Sequence, residues 1–277
     1  MPELPEVETV RRDLDAVLTG RTITDVILDR LRTIRRHDDP EQFTTGLRGA
    51  HIVATRRRGK YLMIDFQQGE SSGVLVVHLR MSGQLLHALT PDDPLLAHTH
   101  VRLQLADGTE VRFVDPRTFG EMFLTSPACS ELDHVGPDAL DPLVTAKVFV
   151  DAARGRRVSL KAFLLDQGVV AGVGSIYADE ICFRAGLRPS RSVSRISGPQ
   201  FKRVHTMMIE VLEAAIEARG STLGDGQYVD MVGRPGTFAR EHRVHARADL
   251  GCFDCGSIIR RGMVAQRSAY WCATCQR

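Results

Sequence analysis

Two groups of residues in this 277-residue chain have types and spacings suited to chemistry. One is Cys252-x2-Cys255-x16-Cys272-x2-Cys275. Paired knuckles at that spacing fit a tetrahedral set of four thiolates on a β-hairpin, and a closed set of this kind leaves a zinc ion no open coordination position. The metal is therefore expected to be structural, one Zn2+ per chain, holding a short segment that lacks a core of its own. Disulfides are the weaker alternative in a chain read as cytosolic. Cys129 and Cys182 stand apart and read as small buried hydrophobes.

The other group is the N-terminal run MPELPEVETV. With Met1 removed, Pro2 presents a secondary amine, and Glu3 and Glu6 follow closely. An α-amino group titrates near 7.7–8.0 and a lysine near 10.4, so at pH 7.4 about a quarter of the former is neutral against about 0.1% of the latter. Attack of such an amine on a sugar C1′ yields a cationic iminium, which acidifies the C2′ hydrogen and permits strand elimination. The two carboxylates could donate and accept the protons, with burial raising a pKa where required. The same run also reads as an ordinary helix start, because Pro and Glu both favour the first turn. Lys60 after RRRG, Met81 in HLRMSG, and Arg117 and Phe119 in DPRTFG fall at turns and strand ends, where surface and hairpin roles are the default.

Elements must carry these residues. Val7, Val10, Leu14, Val17 and Leu18 recur at helical spacing as far as Gly20, which predicts an opening helix over 5–18. The β-rich runs ITDVIL, HIVATRRRGKYLMIDF, GVLVVHLRM and HVRLQLADGTEVRFVD follow, the last turning at Asp107-Gly108, so residues 20–125 read as a β-sandwich or barrel. TSPACSELDHVGPDALDP reads as a linker, with a domain boundary near 130–140. Helical spacing returns in 143–153, 158–166, 174–186 and 200–219, with a Ser197/Gln200 capping box and Gly220 bounding the last. Residues 220–240 hold five glycines in a polar context, which predicts a long, mobile and functional loop.

Hydrophobic residues form 43% and charged residues 25% of the chain, which excludes a disordered protein and allows two cores. Neither a membrane-length apolar run nor a secretory leader is present, so a cytosolic protein with no membrane role is expected. A net charge of +2 does not by itself require nucleic acid. The clusters Arg56–Arg58 with Lys60, Arg154 with Arg156 and Arg157, and Arg260 with Arg261 and Arg267 are each readable as solvated faces or as phosphate contacts.

Taken in order, MPELPEVETV, RRRGKYL, HLRMSGQL with DPRTFG, LLDQGVVAGVGSIYADEICFRAGLRP and the four-cysteine hairpin ending CATCQR resemble the formamidopyrimidine-DNA glycosylase family over essentially the whole chain. The resemblance implies an α+β fold of two domains. An N-terminal antiparallel β-sandwich with flanking helices would span 1–135. A helix-two-turn-helix domain with a lesion-capping loop would span 136–240, followed by a zinc-finger hairpin over 241–277. The implied enzyme is a bifunctional DNA glycosylase and AP lyase of base excision repair. As a monomer in the bacterial cytosol, it would excise 8-oxoguanine and formamidopyrimidines from double-stranded DNA and also act on abasic sites.

The resemblance also implies roles for particular residues. Pro2 would form a Schiff base at C1′, followed by β,δ-elimination, with Glu3 assisting proton transfer, Lys60 near the lesion phosphate and Glu6 as an auxiliary carboxylate. Met81, Arg117 and Phe119 would fill the gap left by the everted base. His100, Arg117, Arg156, Ser175 and Arg267 would contact DNA. Glu180 would line the lesion pocket, and Ser221, Thr222 and Tyr228 would belong to the pocket or its capping loop.

Three stretches depart from the family pattern. Ser175 stands in GVGS where Asn is usual, RVHARADLGC replaces a Tyr-Gly-Arg sequence with Pro before the first cysteine, and Thr237 replaces an aromatic or glycine. The endonuclease VIII branch, which acts on oxidised pyrimidines, is the nearest alternative; Leu4 and the full Met81/Arg117/Phe119 set favour the purine branch. A non-catalytic damaged-DNA-binding homologue is disfavoured by intact Pro2, Glu3 and Lys60. A proline tautomerase leaves the cysteine hairpin unexplained.

Overall fold

The computed structural model describes residues 1–277. They fall into two compact units, Met1–Asp133 with Arg219–Thr237, and His134–Ala218 with Phe238–Arg277. Most of the glycine-rich segment, grouped on sequence with the helical region, thus packs into the β-rich unit. No helix is long and apolar enough to cross a membrane.

The first unit opens with α1 (Leu4–Leu18), started by a reciprocal capping box between Glu3 and Glu6. Its stripe of Val7, Val10, Leu14 and Leu18 is buried, and Gly20 at φ +78° follows where a left-handed C-terminal residue ends a helix. Two four-stranded antiparallel sheets then form. One orders β1 (Ile23–Leu28), β6 (Thr99–Leu105), β7 (Glu110–Val114) and β5 (Gln84–Ala88). The other orders β2 (His51–Arg58), β3 (Tyr61–Gln68), β4 (Ser71–His78) and β8 (Glu121–Thr125). α2 (Pro40–Leu47) flanks them, and one core joins Val10 and Leu14 of α1, Phe43 and Leu47 of α2, and Leu62, Leu75, Val101 and Phe113 of the strands. The Asp107-Gly108 turn forms as expected: Gly108 adopts φ +85° and the Asp107 carboxylate accepts from Thr109 N–H at 3.1 Å.

The glycine-rich segment is pinned at many points. Ser221 bridges Thr237, Thr222 Oγ1 donates to Tyr228 O at 2.7 Å and accepts from Gly236 N–H at 2.8 Å, and Tyr228 sits in the core with its hydroxyl on Arg219 O at 3.0 Å.

The second unit holds α3 (Ala146–Ala153), α4 (Leu160–Leu165), α5 (Ser175–Arg184) and α6 (Gly198–Glu217), the last begun by the expected Ser197/Gln200 capping box. Phe149, Phe163 and Phe201 pack edge to face, and α5 is buried from Ile176 to Phe183. A two-stranded hairpin, β9 (Ile259–Val264) and β10 (Arg267–Cys272), completes it.

Candidate active site and nucleic-acid interface

Pro2 lies in a buried position at the foot of α1, and Glu3 and Glu6 are only 2% and 1% exposed. Glu6 does not face outward as a free acid. Its Oε2 accepts from Glu3 N–H at 2.8 Å and its Oε1 from Ser221 N–H at 2.7 Å, so one carboxylate ties the backbone beside Pro2 to the neck of the glycine-rich segment. Gly220 makes that approach possible: its φ is +83°, and a Cβ there would lie 2.7 Å from Glu6 Oε1. In this geometry Glu6, expected as an auxiliary carboxylate, positions the backbone beside Pro2. Ser221, Thr222 and Tyr228, expected in the lesion pocket or its capping loop, build this neck, with Tyr228 buried. Burial, with the Glu6 charge close by, pushes the Tyr228 phenol up, so it stays protonated.

Lys60 occupies the tight turn between β2 and β3, closed by the Arg58–Tyr61 pair, with Gly59 at φ +59°. It is 8% exposed, more enclosed than its surface-lysine default. Nearby His78 was not picked out from the sequence. Its Nδ1 accepts from Arg80 N–H at 2.9 Å, and burial together with Arg80 and Lys60 holds it down to about 3, so it is a neutral ring at working pH.

Met81, Arg117 and Phe119 sit on two adjoining loops, with Met81 36% and Phe119 41% exposed and the Arg117 guanidinium 5.1 Å from the Phe119 ring centroid. Buried Asp115 organises both loops: its carboxylate accepts from Ser82 Oγ at 2.5 Å, Arg117 N–H at 3.2 Å and Gly120 N–H at 2.7 Å. Arg32 donates to Thr118 O at 3.1 Å, and Arg35 to Phe119 O at 3.1 Å and Gly120 O at 2.8 Å. Arg35, Arg36 and Arg80 also converge on Glu121. Burial alone would raise that carboxyl, but the hydrogen bonds from Arg80 and Arg36 win and hold it below the usual range. Nothing local in the sequence marks Arg32 or Arg35 for this role, because their partners lie 84 to 86 positions away. His100, expected on DNA, turns inward: it is 5% exposed and its Nε2–H donates to Asp115 O at 2.8 Å, so it buttresses the same loop.

In the second unit, Ser175 begins α5, where the helix dipole favours an anion, and Arg267 is exposed at the start of β10. Arg156 pairs with Asp166 at 2.7 Å, both 41% exposed, a link weak enough to exchange for a phosphate. Glu180 does not line an open pocket. It is fully buried, and its carboxylate accepts from the N–H groups of Arg243, Val244 and His245 at 2.9, 3.0 and 2.8 Å. Burial raises its carboxyl in spite of those donors.

Cys252, Cys255, Cys272 and Cys275 bring their sulfurs within 4.8 Å of one another. The Cys252–Cys275 and Cys255–Cys272 Sγ separations are 3.9 and 3.5 Å. Zn–S bonds of about 2.3 Å in a tetrahedron require edges of about 3.8 Å, so the set fits a metal of that kind.

Residues 1–122 match the family model described as the formamidopyrimidine-DNA glycosylase N-terminal domain, and residues 135–226 match that of the H2TH domain. The chain is 42% identical over 294 residues to the formamidopyrimidine-DNA glycosylase of Corynebacterium jeikeium and 41% identical over 280 residues to that of Stenotrophomonas maltophilia strain R551-3, with 100% of each chain covered. Among solved structures it is similar to the MutM (Fpg) protein of Thermus thermophilus, with a TM-score of 0.87 and 36% identity over 99% of this chain and 98% of the other. It is also similar to Lactococcus lactis Fpg in complex with DNA containing an abasic site, with a TM-score of 0.90 and 31% identity over 99% of each chain.

Proposed function

Because this chain belongs to the formamidopyrimidine-DNA glycosylase family of base-excision-repair enzymes, which combines glycosylase with AP-lyase activity, we propose that it excises oxidised purines through its N-terminal proline. The substrates are 8-oxoguanine and formamidopyrimidines in double-stranded DNA, together with abasic sites. Similarity to a protein captured with abasic DNA supports a DNA partner.

One observation carries the reading: Pro2 is held in a buried position directly before Glu3, with Glu6 fixing the backbone between them. With Met1 removed, the Pro2 nitrogen attacks C1′ and gives up its proton, and the bond from C1′ to the base breaks as the base leaves with a proton. The sugar ring then opens as C1′–O4′ breaks and O4′ takes a proton. The resulting iminium accepts the electron pair released when C2′–H is deprotonated. The 3′ C–O bond then breaks, a C4′ hydrogen is lost as a proton so that the 5′ C–O bond breaks in turn, and hydrolysis returns the free amine. Glu3, directly after Pro2 and only 2% exposed, is placed to carry a proton to and from the sugar, as general acid–base catalysis requires. Lys60 contacts phosphate beside the lesion. Met81 and Phe119 enter the stack while Arg117 faces the orphaned base, because a glycosylase must take its target out of the duplex. Arg156, Ser175 and Arg267 anchor phosphates, which set register without reading sequence. The four cysteines hold a structural Zn2+.

Borohydride reduction with an 8-oxoguanine:cytosine duplex is expected to trap a covalent complex, and Pro2→Gly to lower the trapped yield by tenfold or more. Undiminished trapping in that variant would place the nucleophile elsewhere.

A further inference from the structure

Neither the nucleophile nor the wedge accounts for Lys161, whose side chain has 0% exposure inside the helical unit. A buried ammonium is costly unless paired and hydrogen-bonded. Its Nζ donates to Asp179 Oδ1 at 2.7 Å and to the backbone carbonyl of Ser268 at 2.5 Å. The second Asp179 oxygen meets His245 Nδ1 at 2.9 Å, and the His245 ring packs edge-on to Tyr270 at 5.1 Å. His245 stands in the RVHARADLGC stretch that departs from the family pattern.

Two consecutive carboxylates of α5 therefore reach both sides of the finger. Glu180 holds the backbone of 243–245 on the way to Cys252, and Asp179, through Lys161, holds β10 at Ser268. Ser268 directly follows Arg267, the first residue of β10. Between the strands, Ala265 and Gln266 both adopt left-handed backbone, at φ +53° and +57°. Non-glycine residues keep such a turn only where their surroundings over-determine it. An apolar trio of the same volume would be about as stable as a buried ion network. What the charges add is direction: an ammonium aimed at one carbonyl fixes where β10 leaves the turn.

We propose that Lys161, oriented by Asp179 and gripping the Ser268 carbonyl, is a positioning residue that sets Arg267 for its phosphate contact. The proposal rests on the phosphate role given to Arg267 above. The test is binding of the full zinc-loaded chain to a duplex containing a tetrahydrofuran abasic analogue, titrated between about 50 and 200 mM salt. The proteins compared are the unaltered chain, Lys161→Met, Arg267→Ala and the double variant, each checked for zinc content and melting temperature. Lys161→Met with Asp179→Asn serves in place of the single variant if the latter misfolds, since it leaves no lone buried charge.

Arg267→Ala is expected to lower the log–log salt slope by about one. The Lys161 variant is expected to match that drop with zinc retained, and adding Arg267→Ala to it should change nothing more. An unaltered slope in the Lys161 variant, or losses that add in the double variant, overturns the proposal while Arg267 keeps its role. An unaltered slope in Arg267→Ala overturns the phosphate reading itself, and the proposal with it.

Discussion

Glu6 and Glu180 are buried carboxylates that accept backbone N–H groups from distant segments. Hydrogen bonds to ionised groups contribute about 1.5–3 kcal/mol, and a buried donor left unmet costs about 1–3 kcal/mol. Such residues act as scaffold first, whatever reactivity their type suggests. Gly220 exposes this dependence. Gly220→Ala would place a side chain in the left-handed region, at about 1–2 kcal/mol, and press a Cβ against Glu6 Oε1 at 2.7 Å. Urea denaturation is expected to show a loss of about 2 kcal/mol or more, accompanied by a reduced trapped yield. Stability within about 0.5 kcal/mol of the unaltered chain would mean that the Glu6–Ser221 contact is dispensable.

At the level of elements, the two loops that carry Met81, Arg117 and Phe119 are held by groups both within and outside them. Asp115 gathers three donors from within, while Arg32 and Arg35 reach the carbonyls of Thr118, Phe119 and Gly120 from a short 3-10 turn spanning Leu31–Ile34 and its exit. Arg35→Met removes two of those carbonyl contacts yet leaves Glu121 paired with Arg36 and Arg80. It is therefore expected to leave the melting temperature nearly unchanged and to cut the rate of base eversion several-fold, read from 2-aminopurine fluorescence beside the lesion. An eversion rate equal to that of the unaltered chain would show that the loops hold their shape unaided. The elements themselves were legible: α1, the Asp107-Gly108 hairpin and the α6 capping box all depend on residues within a few positions of one another. The buttressing was not, because an arginine that caps a carbonyl 85 positions away looks the same in sequence as one in solvent.

For the molecule as a whole, a net charge of +2 conceals a division of labour in which many arginines are scaffold, such as Arg35, Arg36 and Arg80 around Glu121, and others are exposed, such as Arg267. The cysteine hairpin has a small buried cluster, Phe183, Val244, Cys252, Ile259 and Cys272, with Tyr270 and Cys275 at its edge, so a metal held by the four thiolates would supply what that core does not. Cys252→Ala is accordingly expected to abolish duplex binding while the hydrogen-exchange protection of β2, β3 and β4 stays unchanged; tight binding retained without zinc would separate the finger from grip. The sequence alone determined the order of motifs, the knuckle spacing, the helix starts and the turn chemistry, because each is a short-range pattern set by local backbone geometry. Only the tertiary structure decided which charged groups are tied into scaffold contacts. Glu3 and Glu6 are three positions apart in one motif, yet the partner that makes Glu6 a tie lies 215 positions away at Ser221, and His100, Glu180 and Tyr228 turn inward for the same reason. Burial and backbone donors arriving from remote segments set what a titratable side chain can do, and neither is written in its neighbours.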